Sequence, residues 1–453
     1  MRRRYFLLAA LVLAAQILAH GNETDTPAVD LPTSGTMDDR PFFGTRRDPG
    51  IDYDRPTLDV VADLIRKVED GSAKLRYEGS GGYLRSVLEA LQVPVSSQAV
   101  LFSKTSLQQH YISPSNPRSI YFSDNVIVAF IRNAPLLELA ALDSHQGMVF
   151  YALSQGEVER PQIQRADACL SCHEVRETLG VPGLIARSVP VSAGGQPLPE
   201  AKSLSSDHRS PFEERWGGWF ITGGTGRTAH MGNTLSPGDG NRARPARAPE
   251  QLRSLEGKFD PDGYPSLYSD VAAVMTLNHQ VRMINLMTRV GYETRIALNQ
   301  PLTVAGPSGQ GMPGGGETTA AATRLIAADA RELVDYLLFV DESPLPEKFE
   351  STSGFREQFE RYGPWDRRGR SLKQLDLDRR LLRYPCSYMI YSTAFDGLPT
   401  VTKDAIYARM WEVLSGKDQD RKYAKLTPQL RADIVSILVD TRPGLPKYFQ
   451  PLQ

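Results

Sequence analysis

Apolar residues recur along this chain at two spacings, and the change from one to the other divides it. Leu58 to Val68 and Tyr83 to Leu91 repeat at the i, i+3, i+4 spacing of a helix with one apolar face. From Ala99 the period shortens to two. Ala99 to Phe102, Ser119 to Phe122, Val126 to Ile131, Leu136 to Leu142 and Met148 to Leu153 are short runs rich in strand-forming residues. Turn sequences separate them, Ser123-Asp124-Asn125 and Asp143-Ser144-His145-Gln146-Gly147 among them. This predicts an antiparallel meander with helices against one face, an α+β domain over residues 57–156. Residues 157–260 carry little periodicity, and Ser236 to Pro249 is dominated by Pro, Gly and Arg. Residues 261–453 read as helical. Tyr268 to Leu298 predicts a long amphipathic helix and Thr319 to Val340 an Ala- and Leu-rich one, joined by a Gly/Pro linker over Gln300 to Gly316. Of two further helices, one has Thr402 as N-cap and stops at Gly416, with Ile406, Met410, Val413 and Leu414 on one face. The other has Thr427 as N-cap and Pro428 at the first helical position, and ends before Pro443.

The N-terminus changes the picture by fixing a compartment. Arg2, Arg3 and Arg4 precede an apolar run from Tyr5 to Leu18 that is short for a membrane span, and small residues follow at Ala19 and Gly21. Residues 1–21 are expected to be a cleaved signal peptide, with an uncleaved anchor as the alternative. Residues 22–56, polar and rich in Asp, Thr and Pro, are expected to be a poorly ordered lead-in. The mature chain is then exported, periplasmic or otherwise outside the cytoplasm, and soluble, with no later membrane span. A formal net charge of −1 gives no reason to expect nucleic acid as partner, and 41% hydrophobic residues suffice for sizeable cores.

Three cysteines carry the candidate chemistry. Cys169-Leu170-Ser171-Cys172-His173 is a Cys-x-x-Cys-His run, the attachment signature for c-type haem. Two thiols add across the haem vinyl groups, and the adjacent imidazole takes one axial position on the iron. A redox dithiol and half of a zinc site are the alternatives. No βαβ pattern surrounds the motif to favour the first, and no second Cys/His pair completes the second. The expected cofactor is one covalent haem c with its iron. Cys386, in Tyr384-Pro385-Cys386-Ser387-Tyr388, is left without a partner, either a buried free thiol or an intermolecular disulfide.

On this motif the chain resembles the monohaem cytochrome c superfamily. Longer stretches are similar to a group of exported bacterial cytochrome c-domain proteins: Ser119-Ile120-Tyr121-Phe122-Ser123-Asp124, Arg215-Trp216-Gly217-Gly218-Trp219, His230-Met231-Gly232-Asn233 and the segment around Cys386. The resemblance implies an embellished, mainly helical cytochrome c-like haem region, with residues 157–260 attaching the haem and residues 261–453 completing its pocket. It implies Pro182, nine residues after His173, as the carbonyl that accepts the proximal imidazole N–H, with an ordinary Pro-Gly turn at Pro182-Gly183 as the alternative. It also implies Met231, 58 residues after His173, as distal thioether ligand.

Two histidines compete with Met231. His230 is its neighbour on the same loop, and His279 belongs to a Met275, His279, Met283, Met287 stripe on the long helix, where a core imidazole is the plainer reading. His208 reads as a loop residue, and His110 and His145 as structural or exposed. Two basic clusters could meet haem propionates or an acidic partner: Arg242, Arg244 and Arg247, and the group Arg367, Arg368, Arg370, Lys373, Arg379, Arg380 and Arg383. A solvated surface is the competing reading of both.

The function expected is transfer of electrons to or from a redox protein partner, with no catalytic residues assigned. A peroxidase-type haem enzyme with an open distal site, and a haem-based sensor or binding module, are the alternatives. The single attachment motif counts against the di-haem peroxidases.

Overall fold

The computed structural model describes residues 35–199, 203–235, 248–299, 303–304, 312–313 and 319–451. The expected signal peptide, residues 22–34 of the lead-in, and Arg242, Arg244 and Arg247 lie outside them.

The protein is mixed α and β, built on a seven-stranded antiparallel sheet. In chain order the strands are β1 (Ala99–Leu101), β2 (Arg118–Phe122), β3 (Val126–Ile131), β4 (Leu136–Asp143), β5 (Gly147–Ser154) and β6 (Ile163–Arg165). A small separate ribbon, β7 (Arg187–Ser188) with β8 (Leu204–Ser205), follows. Then β9 (Trp219–Phe220) closes the sheet by pairing with β1, giving the order β6-β5-β4-β3-β2-β1-β9. The tight connections have local causes. Asp143 Oδ1 accepts the amides of His145 and Gln146, and Gly147 (φ +75°) admits a turn that packs so closely on Thr288 that a Cβ would overlap it. All five runs read as strands are strands.

Helices α1 (Val60–Glu69) and α2 (Leu84–Ala90) precede the sheet, α1 capped by Asp59, whose carboxylate accepts the amides of Val61 and Ala62. One short turn, α3 (Leu170–His173), holds the Cys-x-x-Cys-His run. Then come α4 (Val271–Asn299), α5 (Ala320–Leu337), α6 (Phe355–Arg361), α7 (Thr393–Asp396), α8 (Thr400–Leu414) and α9 (Pro428–Thr441). Thr427 caps α9 as the spacing predicts. Helix α8 starts two residues before the expected N-cap, because Pro399 supplies the extended residue ahead of it. Thr402 instead lies inside the helix and donates from its hydroxyl to Thr294.

Two expectations are corrected by packing. First, α4 is not amphipathic: it is buried on nearly every side, and Asn278, Gln280, Arg282 and Asn285 find partners on other elements. Second, the part of the lead-in from residue 35 is ordered, with Met37, Ile51 and Tyr53 buried. Arg40 reaches α4 and α5, where it binds Glu293 (2.7 Å) and Asp329 (2.6 Å), both almost wholly buried. Arg289 joins Glu293 from the same helix. Sheet and helices share one core that runs from Met37 to Phe449. Among the described residues no helix is long and apolar enough to cross a membrane.

Replacing Arg40 with Met leaves two buried carboxylates short of a cation, so it is expected to lower stability by about 3–5 kcal/mol in urea unfolding. Arg367→Ala, which breaks an exposed pair with Asp440, should cost less than about 1 kcal/mol. A pH dependence follows from Glu342, whose carboxyl burial pushes up from its ordinary 4.5 to about 7. The folded state then holds a proton that the unfolded chain has lost, so stability falls as pH rises through this window, by up to roughly 3 kcal/mol. Glu342→Gln should flatten that part of the stability–pH curve.

Candidate haem site

The Cys-x-x-Cys-His turn sits on the edge of a cavity of about 370 Å³. Its floor is one face of the sheet: Arg118 and Ile120 of β2, Ile127 and Ala129 of β3, Glu138 and Ala140 of β4, and Phe150 of β5. The register explains the set, since Ile120, Ala129 and Glu138 lie opposite one another, as do Ile127, Ala140 and Phe150. Ile120 and Ile127 are only half-buried, so this apolar face is left partly uncovered beside the motif. Leu184, Ile185, Ala186, Trp219 and, from α4, Leu277 and Val281 complete the apolar walls.

Both thiols and the imidazole line this cavity. Cys169 is half-buried, which raises its thiol pKa, and Cys172 is exposed. The His173 ring lies 4.7 Å from that of Phe150. Burial lowers its pKa, and the acceptor at Nδ1 opposes this. That acceptor is the carbonyl of Gly183, at 2.9 Å. With Nδ1 donating, the ring's lone pair is on Nε2, the nitrogen free to bind a metal.

The acceptor is thus one residue beyond Pro182, whose carbonyl instead takes the amide of Met148 at 3.3 Å. The shift has a cause in α4. Asn285 holds Leu184 at both ends, accepting its amide (2.9 Å) and donating to its carbonyl (2.8 Å). The Gly183 amide returns to the carbonyl of His173 at 2.9 Å. Only glycine fits there, because a Cβ would overlap Asn285 Oδ1.

The three distal candidates are placed elsewhere, and none lines the cavity. Met231 is buried, its sulfur accepting from Ser188 Oγ at 3.8 Å. Both ring nitrogens of His230 are occupied: Nδ1 accepts the Gly232 amide (3.1 Å), and Nε2 meets Thr225 Oγ1 (3.2 Å). Burial drives its pKa down to about 3. His279 is likewise taken, by His208 at Nδ1 (2.8 Å) and by Ser387 at Nε2 (2.7 Å), in a stack with Tyr336 and Phe339. His208, read as a loop residue, is buried as the other half of that pair. Cys386 is fully buried, its thiol pushed up to about 12 by desolvation. Within the second basic cluster, Arg367 pairs with Asp440, Arg370 with Asp366 and Asp433, and Lys373 with Asp124. No member of that cluster reaches this cavity.

The cations that do line the cavity are Lys104 and Arg118, which sequence reasoning passed over, together with Glu138. A charge alternating with apolar neighbours, as in Leu137-Glu138-Leu139, was the available signal. Among the described residues no group of three His, Cys, Asp or Glu side chains is set to hold a metal ion. The donor set therefore does not suit a protein-only zinc site. It suits a group that brings its own in-plane donors and needs two thiols, one neutral imidazole and an apolar slot. Compared with protein-family models, curated proteins and solved structures, the chain matches none.

Asn285→Ala frees the 183–184 segment and leaves the Leu184 amide unpaired. It is expected to cost about 1–3 kcal/mol in thermal or urea unfolding. Asn285→Asp, which sets a buried, unpaired carboxylate against the Leu184 carbonyl, should cost more than the alanine at neutral pH.

Proposed function

We propose that the chain is an exported c-type cytochrome with one haem on Cys169 and Cys172, His173 as axial ligand, exchanging electrons with a redox protein partner. One observation carries this reading: both thiols and the imidazole open into the same cavity as a half-uncovered apolar sheet face. Bound there, the group supplies a one-electron couple at its iron. The chain's own residues have distinct tasks. Cys169 and Cys172 hold the group, and the Gly183 carbonyl keeps the His173 Nδ1–H fixed. Ile120, Ile127, Phe150 and Leu184 exclude water, while the exposed Cys172 leaves one edge accessible to a partner. Export rests on the sequence of residues 1–21 and on the fact that covalent haem attachment is carried out outside the cytoplasm.

A second reading, a haem with an open distal face that binds exogenous ligands, is favoured by a specific observation. Neither Met231, His230 nor His279 lines the cavity, and among the described residues no other Met, nor any His besides His173, does so.

Protein from a host equipped for cytochrome c maturation is expected to stain for haem on a denaturing gel. Cys169→Ser with Cys172→Ser should abolish the stain. Haem that leaves the intact protein on acid-acetone extraction would overturn the assignment.

A further inference from the structure

A second cavity, of about 190 Å³, lies where the segment after α5 meets residues 379–385 and the turn before α9. Its floor is apolar, formed by Leu338, Phe339, Val340, Pro385 and Leu426. Its charged lining is four cations, Arg379, Arg380, Lys422 and Lys425, against one carboxyl, Glu342. Lys422 is paired with Asp335 at 2.7 Å. The guanidinium groups of Arg379 and Arg380, members of the second basic cluster, make no ion pair or hydrogen bond among the described residues. Lys425 donates only to the carbonyl of Glu342, at 3.0 Å. Helix capping does not account for these cations, because the last four carbonyls of α5, from Val334 to Leu337, are each taken by a backbone amide. Glu342 is an independent sign of a ligand. It is only 8% exposed, and its Oε1 accepts the Leu381 amide at 2.9 Å. Its Oε2 has no hydrogen-bond partner among the described residues and is not sealed off from the cavity that the side chain lines. Burial pushes this carboxyl up to about 7, against the opposing pull of Arg380, Arg215 and Lys425, so near neutral pH it holds a proton to donate.

We propose that this cavity binds a small aliphatic carboxylate, its charged end held by Arg379, Arg380 and Lys425 and its hydrocarbon body laid on the apolar floor. A guanidinium fork matches the two coplanar oxygens of a carboxylate, and Lys425, fixed by the Glu342 carbonyl, adds a point charge. The floor favours an organic anion over an inorganic one, which has no apolar part to bury. Glu342 donates to the ligand from Oε2 when protonated and repels it when ionised, so binding is coupled to proton uptake. None of these residues lines the cavity beside the Cys-x-x-Cys-His turn, so the proposal is independent of the haem reading.

The test titrates the full chain with butyrate, acetate and inorganic phosphate at pH 6, and with butyrate again at pH 8, each followed by ligand-observed NMR. Wild type is expected to bind butyrate at pH 6 more tightly than phosphate, and at least about threefold more tightly than acetate, since two further methylenes reach the floor. Arg379→Gln with Arg380→Gln should weaken butyrate at least about tenfold. Arg379 is exposed and Arg380 half-exposed, so this double variant should keep the wild-type unfolding temperature. Raising the pH to 8 should weaken butyrate at least about fivefold. Glu342→Gln, whose amide donates at either pH, should bring the two affinities within about twofold of each other. Absence of saturable butyrate binding to wild type overturns the proposal, as does a double variant of unchanged affinity. Phosphate bound more tightly than butyrate overturns the carboxylate assignment. A pH dependence that persists in Glu342→Gln removes Glu342 from the site and overturns the proposal as well.

Discussion

Helix α4 has to be buried on almost every side while carrying polar residues, and each of those residues needs a partner. Burying an unpaired polar group costs about 1–3 kcal/mol, so each polar position on α4 fixes the segment that satisfies it. Asn278 takes the indole N–H of Trp216 at 3.1 Å, and Gln280 ties Ser123 and Tyr388. Arg282 binds Asp38, Asn285 clamps Leu184, and Glu293 gathers Arg40 and Arg289. Thus one helix holds the strand-linking turn, the segment before the first strand, the segment after the Cys-x-x-Cys-His run and the C-terminal helices in one arrangement.

The candidate site depends on that arrangement through a short chain of contacts. Asn285 fixes Leu184, which places the carbonyl of Gly183, which in turn accepts from His173. The imidazole is thereby oriented from the core rather than by its own one-turn helix, which is too short to be stable alone. On the far side of the cavity the sheet does the corresponding work. Its alternation sets Ile120, Ile127 and Phe150 on the floor, and places Arg118 and Glu138 among them.

The meander was legible because strand period and turn chemistry are local: every strand read between Ala99 and Leu153 is present. The cysteine motif and His173 were legible for the same reason, being contiguous. What failed was long-range. Residues 35–56 look polar, but Arg40 is buried by carboxylates some 250 to 290 residues away. His279 and His230 look like free ligands until Ser387, His208 and Thr225 are seen to occupy them. Pro182 missed by one residue because the deciding contact, from Asn285, lies on another element. Arg118 and Glu138 meet only through strand register, which periodicity alone does not give.

The central claim is that Cys169 and Cys172 carry a covalent haem with His173 beside it. Mass spectrometry of the proteolytic peptide containing residues 169–173, from protein matured in a competent host, tests this most directly. The account predicts a single haem adduct bonded through both sulfurs, with Cys386 unmodified. The same peptide recovered with two free or disulfide-linked thiols would contradict it.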